Sequence, residues 1–140
     1  MARTFALTIA TPFARLFAGE VVAVRVRAVD GYLGVLAGHA PLVAELAIGE
    51  IVVTVAPGQK RYFASAGGVL RVEREGVTIL CELAEAAEEI DVPRAQRALE
   101  RAQQRLSVGA RGGGVDVLRA ELALARALNR LKVAQHAQPS

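Results

Sequence analysis

Residues 85–106, EAAEEIDVPRAQRALERAQQRL, decide the fold, because within them the pattern of side chains changes from strand to helix. Asp91 is a good helix N-cap, since its carboxylate can accept from the unpaired amides of the first turn, and Pro93 falls where a missing N–H costs little. Beyond the cap, Ala95, Ala98, Leu99, Ala102 and Leu106 recur at intervals of three and four, the apolar face of a period-3.6 element. Arg97, Arg101 and Arg105 occupy successive i, i+4 positions on another side, relieved only by Glu100; like charges so spaced repel by a few tenths of a kcal/mol per pair, roughly. Such a row is held either by water or by something acidic or phosphorylated.

Upstream, residues 5–11 (FALTIAT) and 22–28 alternate apolar and polar side chains, as half-buried strands do. Asp30-Gly31 signals a turn, and further strands are predicted over 32–36, 42–46, 48–55, 61–65, 69–72 and 77–83, separated by Ile48-Gly49, Pro57-Gly58, Gly67-Gly68 and Glu75-Gly76. Many short strands with no helix between them predict an all-β sandwich or flattened barrel over residues 1–86. Downstream, the glycines of 107–114 (SVGARGGG) end the first helix, Asp116 lies just inside a second, and Val117, Ala120, Leu124, Leu128 and Leu131 form a seam widened by Leu118, Leu122 and Ala125. Residues 87–140 are thus predicted to be an antiparallel two-helix hairpin, rich in alanine and only moderately held together, with a polar tail that frays after Ala134.

Composition narrows the function. More than half of the 140 residues are hydrophobic (53%), enough to bury a core without staples. Cys81 is the only cysteine, which excludes an internal disulfide and a multi-cysteine metal site and suits a reducing compartment. The first residues, MARTFALTIATPFARL, carry no signal-like or membrane-spanning run, so a cytosolic, mature chain is expected. Net charge is +3, but residues 1–90 carry eight basic and ten acidic side chains and residues 91–140 nine and four, so only the helical part is basic. That charge attracts nucleic acid, nucleotide phosphate, anionic lipid or an acidic protein surface. No phosphate-loop, HExxH, CxxC or GxSxG pattern is present, and His39 and His136 are too few for a metal centre. Glu82, Glu85, Glu88 and Glu89 read as a solvated connector rather than as an acid and base pair. A basic nucleic-acid-binding module is the competing reading, although the helices offer no aromatic ring for base stacking.

The segment Gly34–Leu42, GVLAGHAPL, preceded by Phe17-Ala18-Gly19-Glu20, together with SAGGVL at 65–70 and AEAAEEIDVPRA at 84–95, resembles the signature of the epsilon subunit of F-type ATP synthases. The likeness runs in order through nearly the whole chain. It implies a non-catalytic rotor subunit of the central stalk, bound through the complex to the cytoplasmic face of a bacterial inner membrane. The sandwich would dock on the gamma shaft and the ring of c subunits, with Gly38, His39, Ala40, Pro41 and Leu42 at the contact. The hairpin would lie folded or extend among the alpha and beta subunits to restrain ATP hydrolysis, with Arg119, Arg126 and Arg130 opposite acidic groups of beta. Ile90, Asp91, Arg94 and Ala95 match the [IL]DxxRA motif through which some members bind ATP, with Glu85, Arg101, Arg126 and Arg130 as accompanying positions. ATP is thus implied as a regulatory ligand and no required cofactor or metal, while Asp91 and Arg94 read equally as a cap and a first-turn side chain. The chain departs from the family in a short loop after Val26 and in the glycine run 112–114.

Overall fold

The computed structural model describes residues 3–137. Strands β1 (Phe5–Ala10), β2 (Arg15–Val21), β3 (Ala23–Ala28), β4 (Gly31–Leu36), β5 (Leu42–Ala56), β6 (Gln59–Glu73), β7 (Gly76–Cys81) and β8 (Ala84–Ala86) precede helices α1 (Val92–Ala110) and α2 (Val117–Ala134). The chain divides into two compact units, one ending at Ala86 and the other beginning at Ala87.

In the first unit the strands follow the path β2-β1-β7-β6-β5-β3-β4, and β8 pairs with β6. All pairings are antiparallel except β1 with β7. The sheet wraps so that β2 packs against β5 and β8, which makes it the predicted sandwich. Its inner face is filled by Leu7, Ile9, Val24, Val26, Ile51, Val53, Phe63, Leu70 and Ile79, each at most 1% exposed. The period-2 alternation noted in the sequence puts these residues on one side.

Three strand predictions change. Residues 42–46 and 48–55 form the one strand β5, because Gly49 is no turn: a Cβ there would lie 2.5 Å from Arg27 Cβ, so glycine lets β5 pass close to β3 where their register shifts. Residues 61–65 and 69–72 likewise belong to the single strand β6, which pairs with β8 through Phe63–Ser65 and with β7 from Gly68 onward. Gly67 and Gly68, at φ 105° and 152°, make the bend between those two pairings. β2 was not foreseen, since RLFAGEV mixes exposed and half-buried positions without alternation.

In the second unit Asp91 caps α1 as predicted, its Oδ1 accepting from Arg94 N at 3.1 Å, and Pro93 lies in the first turn. The predicted end of α1 is too early. The helix continues through Ser107, Val108 and Gly109 to Ala110, and Arg111 closes it by donating from its N–H to Val108 O at 3.0 Å and from Nη2 to Ser107 Oγ at 3.0 Å. Gly109 is retained inside the helix because a Cβ there would be 3.0 Å from Val117 Cγ2. Asp116 lies before α2 as its N-cap, accepting from Arg119 N at 3.1 Å. Residues Gln135–Ala137 form a 3-10 turn, so the tail is ordered that far, and the rest of it lies outside the described residues, as do Met1 and Ala2.

The predicted seam of α2 holds in part: Ala120 is buried and Leu124 and Leu131 are half-buried, whereas Val117 and Leu128 are exposed. Buried positions on the helices are Ala95 and Ala102 on α1 and Ala120, Ala127, Val133 and Ala134 on α2, while Leu118 and Leu128 are 66% and 50% exposed. Ala95, Ala102 and Gly109 step by seven, and so do Ala120, Ala127 and Ala134. With Gly109 against Val117 at the loop end, the two small-residue rows run level in antiparallel register. Small side chains let the helices approach closely, and alanine wins the buried positions over leucine for that reason.

Candidate functional surfaces

The positions implied as rotor contacts sit at one end of the sheet unit. Gly38, at φ 84°, turns the chain after β4, His39 N donates to Leu36 O at 3.2 Å, and His39 Nδ1 lies 2.7 Å from Ala40 O, which places its proton there. His39, Ala40 and Pro41 are exposed, and Leu42 begins β5. A Cβ at Gly38 would lie 3.5 Å from the Arg3 guanidinium, an ordinary contact, so it is the positive φ that calls for glycine there. Gly38, His39, Ala40 and Pro41 line an open cavity of about 830 Å³ together with Arg3, Glu20, Arg74 and Glu75.

A second surface escaped the sequence reading. Val69 and Leu80 are direct cross-strand partners, flanked by Glu45 and Ala10, and the adjoining row is Val43, Arg71, Thr78 and Thr8. All of these point away from the core: Val43 is 64%, Val69 40% and Leu80 55% exposed. Because β1 and β7 are parallel, Phe13 and Leu83, also exposed, leave the sheet at the same end. Scattered apolar residues on a surface are ordinary, whereas these are paired across strands on one face of the sheet. The signal was present as apolar residues on both faces of β6 and β7, yet it only becomes a patch once the register is known.

The residues implied for nucleotide divide between the two units. Glu85 lies in β8, paired with Ala64. Ile90 and Ala95 are buried, at 8% and 0%, and act as packing residues, whereas the Arg94 side chain is exposed. Arg94 and Arg101, seven apart, share one side of α1, and Arg101 is exposed as well. Arg126 and Arg130 are half-buried on α2 at i, i+4, and Arg119 is exposed a further seven residues back. In the antiparallel register given by the alanine rows, Arg126 and Arg130 lie level with the N-terminal half of α1. The hairpin therefore carries Arg94, Arg101, Arg126 and Arg130 toward the same half of its length. Asp91 uses Oδ1 for its cap.

One titratable group is moved by its surroundings. Burial pushes the Cys81 thiol above its usual 9.0, only partly opposed by the Ser65 hydroxyl, which donates to Sγ at 3.4 Å. Such a thiol is inert packing rather than a nucleophile. No helix among the described residues is long and apolar enough to cross a membrane.

Comparison with known proteins covers both units. The family described as ATP synthase, Delta/Epsilon chain, beta-sandwich domain matches residues 4–87, and the family described as ATP synthase, Delta/Epsilon chain, long alpha-helix domain matches residues 88–135. The chain is 48% identical over 106 residues to the ATP synthase epsilon chain of Koribacter versatilis, covering 76% of this chain and 74% of that one. It is 42% identical over 103 residues to the sodium ion specific ATP synthase epsilon chain of Propionigenium modestum, covering 74% of each. Among solved structures it superposes with a TM-score of 0.78 and 29% identity on a chain of the Euglena gracilis mitochondrial ATP synthase OSCP/F1/c-ring assembly, over 95% of this chain and 82% of that one.

Proposed function

The chain belongs to the ATP synthase delta/epsilon family, and from that membership we propose that it is the non-catalytic epsilon subunit of a bacterial central stalk, peripheral on the cytoplasmic face of the inner membrane. The carrying observation is the exposed apolar patch of Val43, Val69 and Leu80 on the sheet unit, beside which the chain has a second unit, an arginine-lined hairpin. The patch is the docking face for the gamma subunit, and the His39 turn meets the c ring. Val69 and Leu80 are 40% and 55% exposed, so covering what remains against a partner is worth roughly 0.5–1.5 kcal/mol each, before the cost of association.

The hairpin is the regulatory part. Extended among the alpha and beta subunits, it offers Arg119, Arg126 and Arg130 to carboxylates of beta, and desolvated arginine–carboxylate pairs are strong enough to resist rotation in the hydrolysis direction. Folded, it offers Arg94, Arg101, Arg126 and Arg130 to the phosphates of ATP, with Ile90 and Ala95 holding the start of α1 in place. ATP can favour the folded form only through its higher affinity for that form.

Assembly of the complex with Val69→Glu and Leu80→Glu tests the docking reading. Both side chains are exposed, so the variant folds, and gamma is expected to be lost from it on copurification; full retention of gamma would refute the docking face. Calorimetry with ATP on the isolated chain tests the second part: Arg94→Ala is expected to weaken binding by about tenfold or more, the loss of one charge-assisted contact. Equal affinity removes Arg94 from the site.

A further inference from the structure

The sheet path has two ends, and they are not alike. β2 carries Arg15 and Glu20, its pairing with β1 is interrupted by a register shift, and it packs against β5 and β8. Charges and bulges of this kind are how an edge strand avoids unwanted pairing. β4, GYLGVL, has neither. It contains no charged residue and no proline, and it pairs with β3 over six consecutive residues without a shift. Among the described residues no strand of the sheet lies beside its other edge. A regular, uncharged edge is a template onto which an extended segment can add as a further strand.

The outer face beside that edge carries a specific charge arrangement. Leu36 lies opposite Ala23, Gly34 opposite Arg25, and Tyr32 opposite Arg27. Tyr32 and Leu36 are 60% and 63% exposed. The guanidinium carbons of Arg25 and Arg27 lie 5.2 and 5.1 Å from the centre of the Tyr32 ring, so one ring collects two cations. Cation–π attraction holds each of them there, but the two repel each other. Arg25 Nη2 bonds Glu50 Oε1 at 3.1 Å, while Arg27 has no carboxylate partner among the described residues. Between Tyr32 and Leu36, Gly34 leaves a gap: a side chain built there meets nothing within 4 Å. A strand added beside β4 would stand two strand spacings, roughly 10 Å, from β3. An acidic side chain opposite Gly34 could cross that distance to Arg25 and Arg27, over the one position on β4 where no side chain intervenes.

We propose that β4 takes up an extended, acidic segment of a partner polypeptide by strand addition, with a carboxylate opposite Gly34 held by Arg25 and Arg27 and an apolar side chain opposite Leu36. Main-chain hydrogen bonds along the free edge supply the affinity, and the arginine pair supplies the preference for acid. A second copy of β4 does not fit this place, because GYLGVL brings no carboxylate and would set two arginine pairs near one another.

The test uses the full chain and three acetylated hexapeptides in which valine alternates with glutamate, serine or lysine. Amide hydrogen exchange and chemical-shift titration should show slowed exchange at alternate β4 amides with the valine–glutamate peptide. The serine peptide should bind about tenfold more weakly and the lysine peptide weaker still. Arg25→Ala with Arg27→Ala should remove the preference for glutamate over serine. Gly34→Val, for which the space is open, should do the same with the arginines intact, because it closes the path to them. Equal affinity for all three peptides, or no protection of β4, overturns the proposal. So does light scattering showing that the chain dimerises through β4 without peptide, or equal protection of β4 by phosphatidylglycerol vesicles.

Discussion

A methyl group on Gly68 would collide with the carbonyl of Leu80 and lie 2.8 Å from Cys81 Cα, at a backbone φ of 152° that other residues rarely adopt. Both neighbours are backbone in a hydrogen-bonded strand, so neither can yield as a flexible side chain would. Gly68→Ala is therefore expected to destabilise the sheet unit by about 3 kcal/mol or more, read as a fall in the urea midpoint; an unchanged midpoint would mean that β6 can straighten at no cost. At the same crossing, Cys81 gives a pH signature. Its thiol ionises less readily folded than unfolded, so its contribution to stability is whole below pH 9.0 and is lost as pH rises beyond that through the folded value. The stability difference between the native chain and Cys81→Ala should be constant from pH 7 to about pH 9 and shrink above it. A difference that stays flat to pH 11 would show that Cys81 ionises as easily inside as out. The sequence displays SAGGVL as a landmark and Cys81 as a buried apolar side chain, but not that one packs on the other, because the contact joins residues thirteen apart, Gly68 and Cys81, across the β6–β7 turn.

At the level of elements, what was legible followed from local chemistry. Asp91 and Pro93 start α1 because a cap acts on amides two or three residues away, and the period-2 stretches of β1, β3 and β7 form strands for an equally local reason. What was not legible depended on a partner. Glycines 49, 67 and 68 look like breaks, yet they lie inside long strands: at 49 and 68 a neighbouring strand comes too close for any side chain, and at 67 the backbone takes a φ of 105°; Gly109 continues α1 because Val117 faces it. The leucines of α2 look like its seam, yet the alanines spaced by seven are buried, since closeness of the helices sets which residues fit. This gives a direct expectation. Ala102→Leu or Ala127→Leu adds bulk where the helices are nearest and should loosen the hairpin by about 1–3 kcal/mol, although leucine is the more apolar residue. Hydrogen exchange in α1 and α2 should quicken while β5 and β6 keep their protection. Faster exchange in the strands as well would mean that the two units do not unfold separately.

For the molecule as a whole, the decisive question is whether the sheet unit needs the helices. Its core residues Leu7, Ile9, Val53, Phe63, Leu70 and Ile79 form one cluster drawn from β1, β5, β6 and β7, together with Val24, Val26 and Val35 from the β3–β4 hairpin. None of that cluster comes from beyond Ala86. The hairpin, by contrast, buries mostly alanine, and each alanine removes little apolar area from water, so its own packing is weak beside that of the strands. A chain built this way can lose or move its helices without unfolding the part proposed to dock. Removing residues 91–140 is therefore expected to leave a sheet unit that melts cooperatively and still assembles with gamma, while ATP hydrolysis by the assembled complex rises. The arginines explain the second half of that outcome: Arg119, Arg126 and Arg130 leave with the hairpin, and with them the cations proposed to hold carboxylates of beta. Replacing only these three with glutamine should raise hydrolysis nearly as far as the deletion, because the apolar and alanine contacts remain but the ion pairs do not. If the deletion raises hydrolysis and the triple substitution does not, the hairpin restrains the rotor by its bulk rather than by its charge.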